Sequence, residues 1–187
     1  WEIATDAAFT DLVHSATATT GAARDYTLKV DAQNLLPGTT YYYRFKAADV
    51  ISPVGRMKTL PAGSIDQVRF AVMSCSNYPA GYFHVYAAAA AESELDAVIH
   101  LGDYIYEYGN GGYATEDAAA LGRLLPDNNG GEILTLTDYR RRYALYRTDT
   151  DLQSLHAAAP FIAVWDDHEV ANDTWRDGAE NHNEGEG

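Results

Sequence analysis

One cysteine, Cys75, in 187 residues excludes an intrachain disulfide and leaves a thiol that is either a small buried hydrophobe or a metal or redox group. No apolar run approaches the roughly 18–20 residues of a membrane-spanning helix. Trp1-Glu2-Ile3-Ala4-Thr5-Asp6 has neither the basic start nor the apolar core of an export signal, so any such signal would lie outside this chain. There is no initiator methionine and residues 180–187 are polar and loop-like, so the chain reads as an excerpt from a longer protein. Positive charge is also scarce: 13 Lys and Arg stand against 27 Asp and Glu, for a formal net charge of −14. The deficit is local, because residues 1–63 hold six of each sign whereas residues 64–187 hold seven basic and 21 acidic. Such a surface repels a phosphate backbone, which excludes a basic nucleic-acid-binding face. An anionic substrate would need cations to mask the carboxylates.

The hydrophobic fraction, 47 %, is that of an ordinary globular chain. Before residue 64 the pattern has period two: Tyr26-Thr27-Leu28-Lys29-Val30 alternates, Tyr41 to Ala47 is rich in aromatic strand formers, and Val54 to Thr59 follows. Leu36-Pro37-Gly38-Thr39 supplies a turn ahead of the Tyr-bearing strand. This arrangement resembles the second half of a fibronectin type III-like sandwich, in which a tyrosine can tie the corner. A whole sandwich needs about 100 residues, so 1–63 is expected to be a partial all-β domain. Leu60-Pro61-Ala62-Gly63-Ser64 reads as the linker to a second domain over 64–187.

After the linker the period changes. A strand over 68–74, an Ala-rich helix over 82–94 and a strand over 97–102 make a βαβ unit, expected to place its strands parallel. Residues 107–136, with Gly109-Asn110-Gly111-Gly112 and Asp127-Asn128-Asn129-Gly130-Gly131, read as a long irregular loop. Thr137 can cap a helix carrying Tyr139, Tyr143 and Tyr146 on one face, and a short helix over 151–158 delivers a third strand.

Each of the three strands is an apolar run that ends in residues able to bind metal: Ser74-Cys75, Gly102-Asp103, and Trp165-Asp166-Asp167-His168-Glu169. The carboxyl ends of parallel strands open into one crevice, so Cys75, Asp103 and Asp167 can meet across 92 positions of sequence. In Gly102-Asp103-Tyr104-Ile105-Tyr106-Glu107, Gly102 allows a tight turn, Asp103 offers two hard oxygens able to bridge two cations, and Tyr106 lies three positions on, where a turn brings its phenol to the same cation. A tyrosinate is hard and anionic and suits Fe(III). In the third stretch Asp167 can ligate a metal. His168 beside it can donate a proton to a leaving oxygen or hold a phosphoryl oxygen. Four consecutive ionisable side chains, Asp166 to Glu169, at a buried strand end demand partners.

Gly102-Asp103-Tyr104-Ile105-Tyr106-Glu107-Tyr108, Trp165-Asp166-Asp167-His168-Glu169 and Ser74-Cys75-Ser76, preceded by a fibronectin-like half, resemble the PhoD family of alkaline phosphatases and phosphodiesterases. The resemblance covers essentially the whole chain. It implies an α/β metallophosphoesterase-like half after a partial fibronectin type III-like sandwich, and a secreted or periplasmic enzyme acting on phosphate mono- and diesters, phospholipid or polymeric diesters among them. It implies Fe(III) on Cys75, Asp103 and Tyr106, Ca(II) on Asp103 and Asp167, phosphate contact by His168, and Asn172 as a further candidate for that shell. Ser74-Cys75-Ser76 replaces the Asp-x-His of ordinary di-metal esterases, and Asp167 stands where the wider fold has Asn. The further Asp- and His-bearing loops that complete such a site are expected beyond Gly187. Two other readings stay open at this level: a non-catalytic secreted binding module, and a calcium-stabilised structural domain.

Overall fold

In the computed structural model, which describes residues 1–180, the period-two part forms a four-stranded antiparallel sheet. Its strands are β1 (Glu2–Ala4), β2 (Leu12–Ser15), β3 (Thr40–Arg44) and β6 (Gly55–Lys58), in the order β2-β1-β3-β6. A separate hairpin pairs β4 (Lys46–Ala47) with β5 (Val50–Ile51). The alternating Tyr26 to Val30 segment is not a strand. Asp25 and Tyr26 take positive φ (52° and 55°), and the N–H groups of Tyr26 and Thr27 bond back to Gly21 and Arg24, so the segment leaves a turn with no ladder to join. Its alternation survives only in burial, with Leu28 and Val30 half-buried between exposed neighbours. The Leu36–Thr39 turn forms as expected, and the main-chain N–H of Leu36 donates to the buried Tyr41 hydroxyl at 2.9 Å.

The second sheet is parallel, in the order β7 (Phe70–Met73), β8 (Ala97–His100), β9 (Phe161–Ala163). Helix α1 (His84–Ala90) carries the crossover between β7 and β8, as the Ala-rich run predicts. Residues 107–135 contain only a 3-10 turn at Asp127–Asn129. Helix α2 (Leu136–Tyr146) begins two residues earlier than expected: Thr135, not Thr137, is the cap. Asp138 decides between the two threonines, because its carboxylate returns a bond to the Thr135 N–H and closes a capping box. Asp149 caps α3 (Thr150–Ala158) by accepting from the N–H groups of Asp151 and Leu152.

One face of the parallel sheet is packed. Val98 shares a core with Phe83, which caps α1, Tyr86 from α1, Tyr146 from α2, and Leu152 and Leu155 from α3, with Tyr139 and Tyr143 against the edge of this core. On the opposite face Phe70, Val72 and Ile162 are exposed. The antiparallel sheet grips the far end of the parallel one. Arg56 donates to the carbonyls of Leu95 and Ala158, and Lys58 pairs with Asp96, all away from the carboxyl ends of the strands. Among the described residues no helix is long and apolar enough to cross a membrane.

Candidate active site

The three strand ends do converge. Past the last ladder residues, the Cys75 N–H donates to Gly102 O (3.2 Å), the Ser76 N–H to Asp103 O (2.8 Å) and the Val164 N–H to His100 O (3.1 Å). Both Cys75 (φ 61°) and Asp103 (φ 53°) sit in the left-handed region, where L residues are strained and the surroundings must hold them. Gly102 (φ 112°) is required for a second reason: a Cβ there would lie 2.4 Å from the main-chain nitrogen of Asp166. The third strand-end loop therefore crosses directly over the backbone of the second.

Asp103, buried, is the hub. Its Oδ2 accepts from the Tyr106 hydroxyl at 3.1 Å and from the Cys75 thiol at 3.5 Å, and its Oδ1 accepts from the His168 N–H at 3.4 Å. Asp103, Asp167 and His168 each bring a possible ligand atom within 4.8 Å of the others. Burial chiefly, then the Asp103 carboxylate and Cys75, push the Tyr106 phenol well above its ordinary range. Partial burial pushes Asp167 up, but the N–H of Asp173 and the neighbouring His168 outweigh it, and its carboxyl ends below the ordinary value. Carboxylates, a phenol and a thiol on one spot form a donor set that a hard cation satisfies, since binding can displace the phenolic and thiol protons. A cleft of about 500 Å³ opens beside Cys75 and Tyr106, walled by Tyr82, Phe83 and Tyr113.

The Asn172 side-chain amide donates to Glu180, and its main-chain N–H bonds Glu107. Residues absent from the sequence reading as site members complete the frame. Glu169, 3 % exposed, accepts from the N–H groups of Asp103 (3.1 Å), Tyr104 (2.6 Å) and Asp166 (2.8 Å). Glu107 accepts from His168 Nδ1 and from the Asn172 N–H, each at 2.8 Å. The two loops thus exchange glutamates. Arg142, 1 % exposed, donates to the carbonyls of Tyr106 (2.5 Å), Tyr108 (2.8 Å), Asn129 (3.1 Å) and Gly131 (2.9 Å), and to Asn129 Oδ1 (2.9 Å). His100 lies below, its Nε2 between the Ser76 and Tyr86 hydroxyls at 3.2 Å, and burial lowers its pKa.

The sequence model of the PhoD-like phosphatase family matches residues 70–187, and that of the family's N-terminal domain matches residues 1–61. The chain belongs to the PhoD-like phosphatase family. It is 44 % identical over 174 residues to alkaline phosphatase D of Bacillus subtilis (strain 168), an alignment that covers 92 % of this chain and 29 % of that protein. A solved structure described as PhoD superposes with a TM-score of 0.84 at 43 % identity, over 92 % of this chain and 32 % of the other. The chain thus spans about a third of the length of the PhoD relatives it matches. Within this PhoD-like chain, the motifs at 74–76, 102–108 and 165–169 all fall inside the phosphatase match.

Proposed function

We propose that the protein hydrolyses phosphate mono- and diesters with the help of bound metal ions, in the manner of an alkaline phosphatase and phosphodiesterase. One observation carries this reading: Asp103 is shared by the Cys75 thiol, the Tyr106 phenol and the Asp167–His168 loop, at the meeting point of three parallel strand ends. Cys75, Asp103 and Tyr106 would hold Fe(III), whose preference for hard anionic oxygen the phenol and carboxylate meet. Asp103 and Asp167 would hold Ca(II), and the Asn172 Oδ1 could join them while its amide N–H stays on Glu180. When bound, such ions neutralise the phosphate and ready a water for attack near neutral pH. The water oxygen would bond to phosphorus and release a proton to solvent, the bond from phosphorus to the ester oxygen would break, and His168 would give that departing oxygen a proton or stabilise its charge. The open cleft beside Cys75 has room for the esterified group, a small alcohol, a phospholipid or a polymer unit.

The finer architecture belongs to the same reading: a partial fibronectin type III-like domain over 1–63, a metallophosphoesterase-like part over 64–187, and action outside the cytoplasm, secreted or periplasmic. The bond from Leu36 N–H to the Tyr41 hydroxyl supports the first, because tyrosine corners of this kind recur in such sandwiches.

Colour tests the iron assignment. The full-length protein should show a broad visible phenolate-to-iron absorption that vanishes in Tyr106→Phe, which keeps the ring and removes the ligand atom. An iron-loaded protein without colour, or colour that survives in the variant, would defeat it.

A further inference from the structure

His168 is held on several sides, and one of its partners, Glu107, has no part in the phosphatase reading. Its ring lies on the Tyr106 ring (centroids 4.3 Å apart, 30° between planes) and against Tyr108 (5.6 Å). Its main-chain N–H is tied to Asp103 Oδ1 and to Asp167 Oδ1. Its Nδ1 meets Glu107 Oε2 at 2.8 Å. Glu107 is 2 % exposed and has no idle oxygen, because Oε1 accepts from the Asn172 N–H. A carboxylate only accepts, so Nδ1 carries the proton in this bond and Nε2 is left as the nitrogen available to the site.

We propose that Glu107 is the positioning residue for His168: its buried carboxylate holds the Nδ1–H and turns Nε2 to the leaving oxygen of the substrate, so that the imidazolium gives its Nε2 proton to that oxygen and is left as the Nδ1–H imidazole. The proposal rests on the phosphoesterase reading for its substrate, and on the geometry of this chain alone for the tautomer. It also separates the two exchanged glutamates. Glu169 bonds main-chain N–H groups of Asp103 and Tyr104 and shapes the loop that offers the metal ligands, whereas Glu107 reaches a side chain that acts on the substrate. A third carboxylate pair supplies the contrast. His84 Nδ1 meets Asp151 Oδ2 at the same 2.8 Å, but the His84 side chain is 77 % exposed, stacked on Tyr82 between α1 and α3, and outside the strand-end site.

Glu107→Gln keeps the volume of the side chain but leaves one acceptor oxygen for two donors, so the Asn172 N–H and His168 Nδ1–H can no longer both be satisfied. In the full-length, metal-loaded protein, kcat on an alkyl phosphate ester, whose departing oxygen needs a proton, should fall about 10–100-fold, the range for groups that orient an active residue. Turnover of a p-nitrophenyl ester, whose departing oxygen leaves unprotonated, should change little, with KM and metal content as in the wild type. Asp151→Asn should alter neither ester. Equal loss on both esters, or loss of metal in Glu107→Gln, would make Glu107 a scaffold residue and overturn the proposal. The ¹⁵N shifts of the His168 imidazole in metal-free protein decide the tautomer without any turnover. Wild type should show Nδ1–H and Glu107→Gln a shift toward Nε2–H, and an Nε2–H wild type or unmoved shifts in the variant would overturn it. If the metal-loaded wild type hydrolyses neither ester, the phosphoesterase reading falls, and the tautomer measurement still decides the role of Glu107.

Discussion

Asp167→Ala and His168→Ala, one position apart, should fail in different ways in the full-length protein. Asp167 is assigned as a ligand, so its loss should lower metal content and turnover together. His168 has its Nδ1 committed to Glu107 and acts on charge that develops during the reaction, so His168→Ala should keep its metal and lose on the order of 10²–10³ in kcat. Metal analysis beside steady-state kinetics reads both. Equal metal loss in the two variants would make His168 a ligand, and full activity in both would remove the strand-end convergence from the chemistry altogether.

Arg142→Ala is expected to cost about 3–5 kcal/mol, since it leaves a set of buried acceptors without their donor. The guanidinium fork ties the carbonyls of Tyr106 and Tyr108, directly beside the Asp103–Tyr106 turn, to Asn129 and Gly131 in the long irregular loop. That loop has little secondary structure of its own, and the carbonyls of Asn129 and Gly131 depend on this one side chain. For a domain of this size the loss corresponds to a fall in the thermal midpoint on the order of 10 °C. Arg142→Lys should recover little, because one ammonium cannot present a planar fork to acceptors on both sides. A midpoint that stays within a degree of wild type in Arg142→Ala would contradict this account.

Much of the site was legible because the signal was local and repeated: an apolar run, then Cys75, Gly102-Asp103 or Asp167-His168. Parallel pairing of the strands does the rest, and it brings the Cys75 thiol to 3.5 Å from Asp103 although 28 positions separate them. What was not legible acts at long range on main-chain groups or within unremarkable sequence. Glu107 stands inside a motif whose other members already had roles, and its partners His168 and Asn172 lie 61 and 65 positions away. Arg142 reads as one of three consecutive arginines. Only burial separates it from Arg140 and Arg141, which bond single exposed carbonyls. Strands β1 and β2, of three and four residues, are too short to show a period, while Tyr26 to Val30 shows one and forms no ladder. Thr135 and Thr137 are equivalent as caps until the third residue on is compared: Asp138 can return the bond to Thr135, and Arg140 cannot do so for Thr137.

The central claim is that Asp103 joins two metal ions at the meeting point of the strand ends, and elemental analysis of the purified full-length protein tests it most directly. Wild type should carry both iron and calcium, and Asp103→Ala, which removes the oxygens shared by both positions, should carry neither. A wild-type protein that holds no iron and no calcium and takes up neither when they are supplied, or an Asp103→Ala variant with the wild-type content of both, would contradict it.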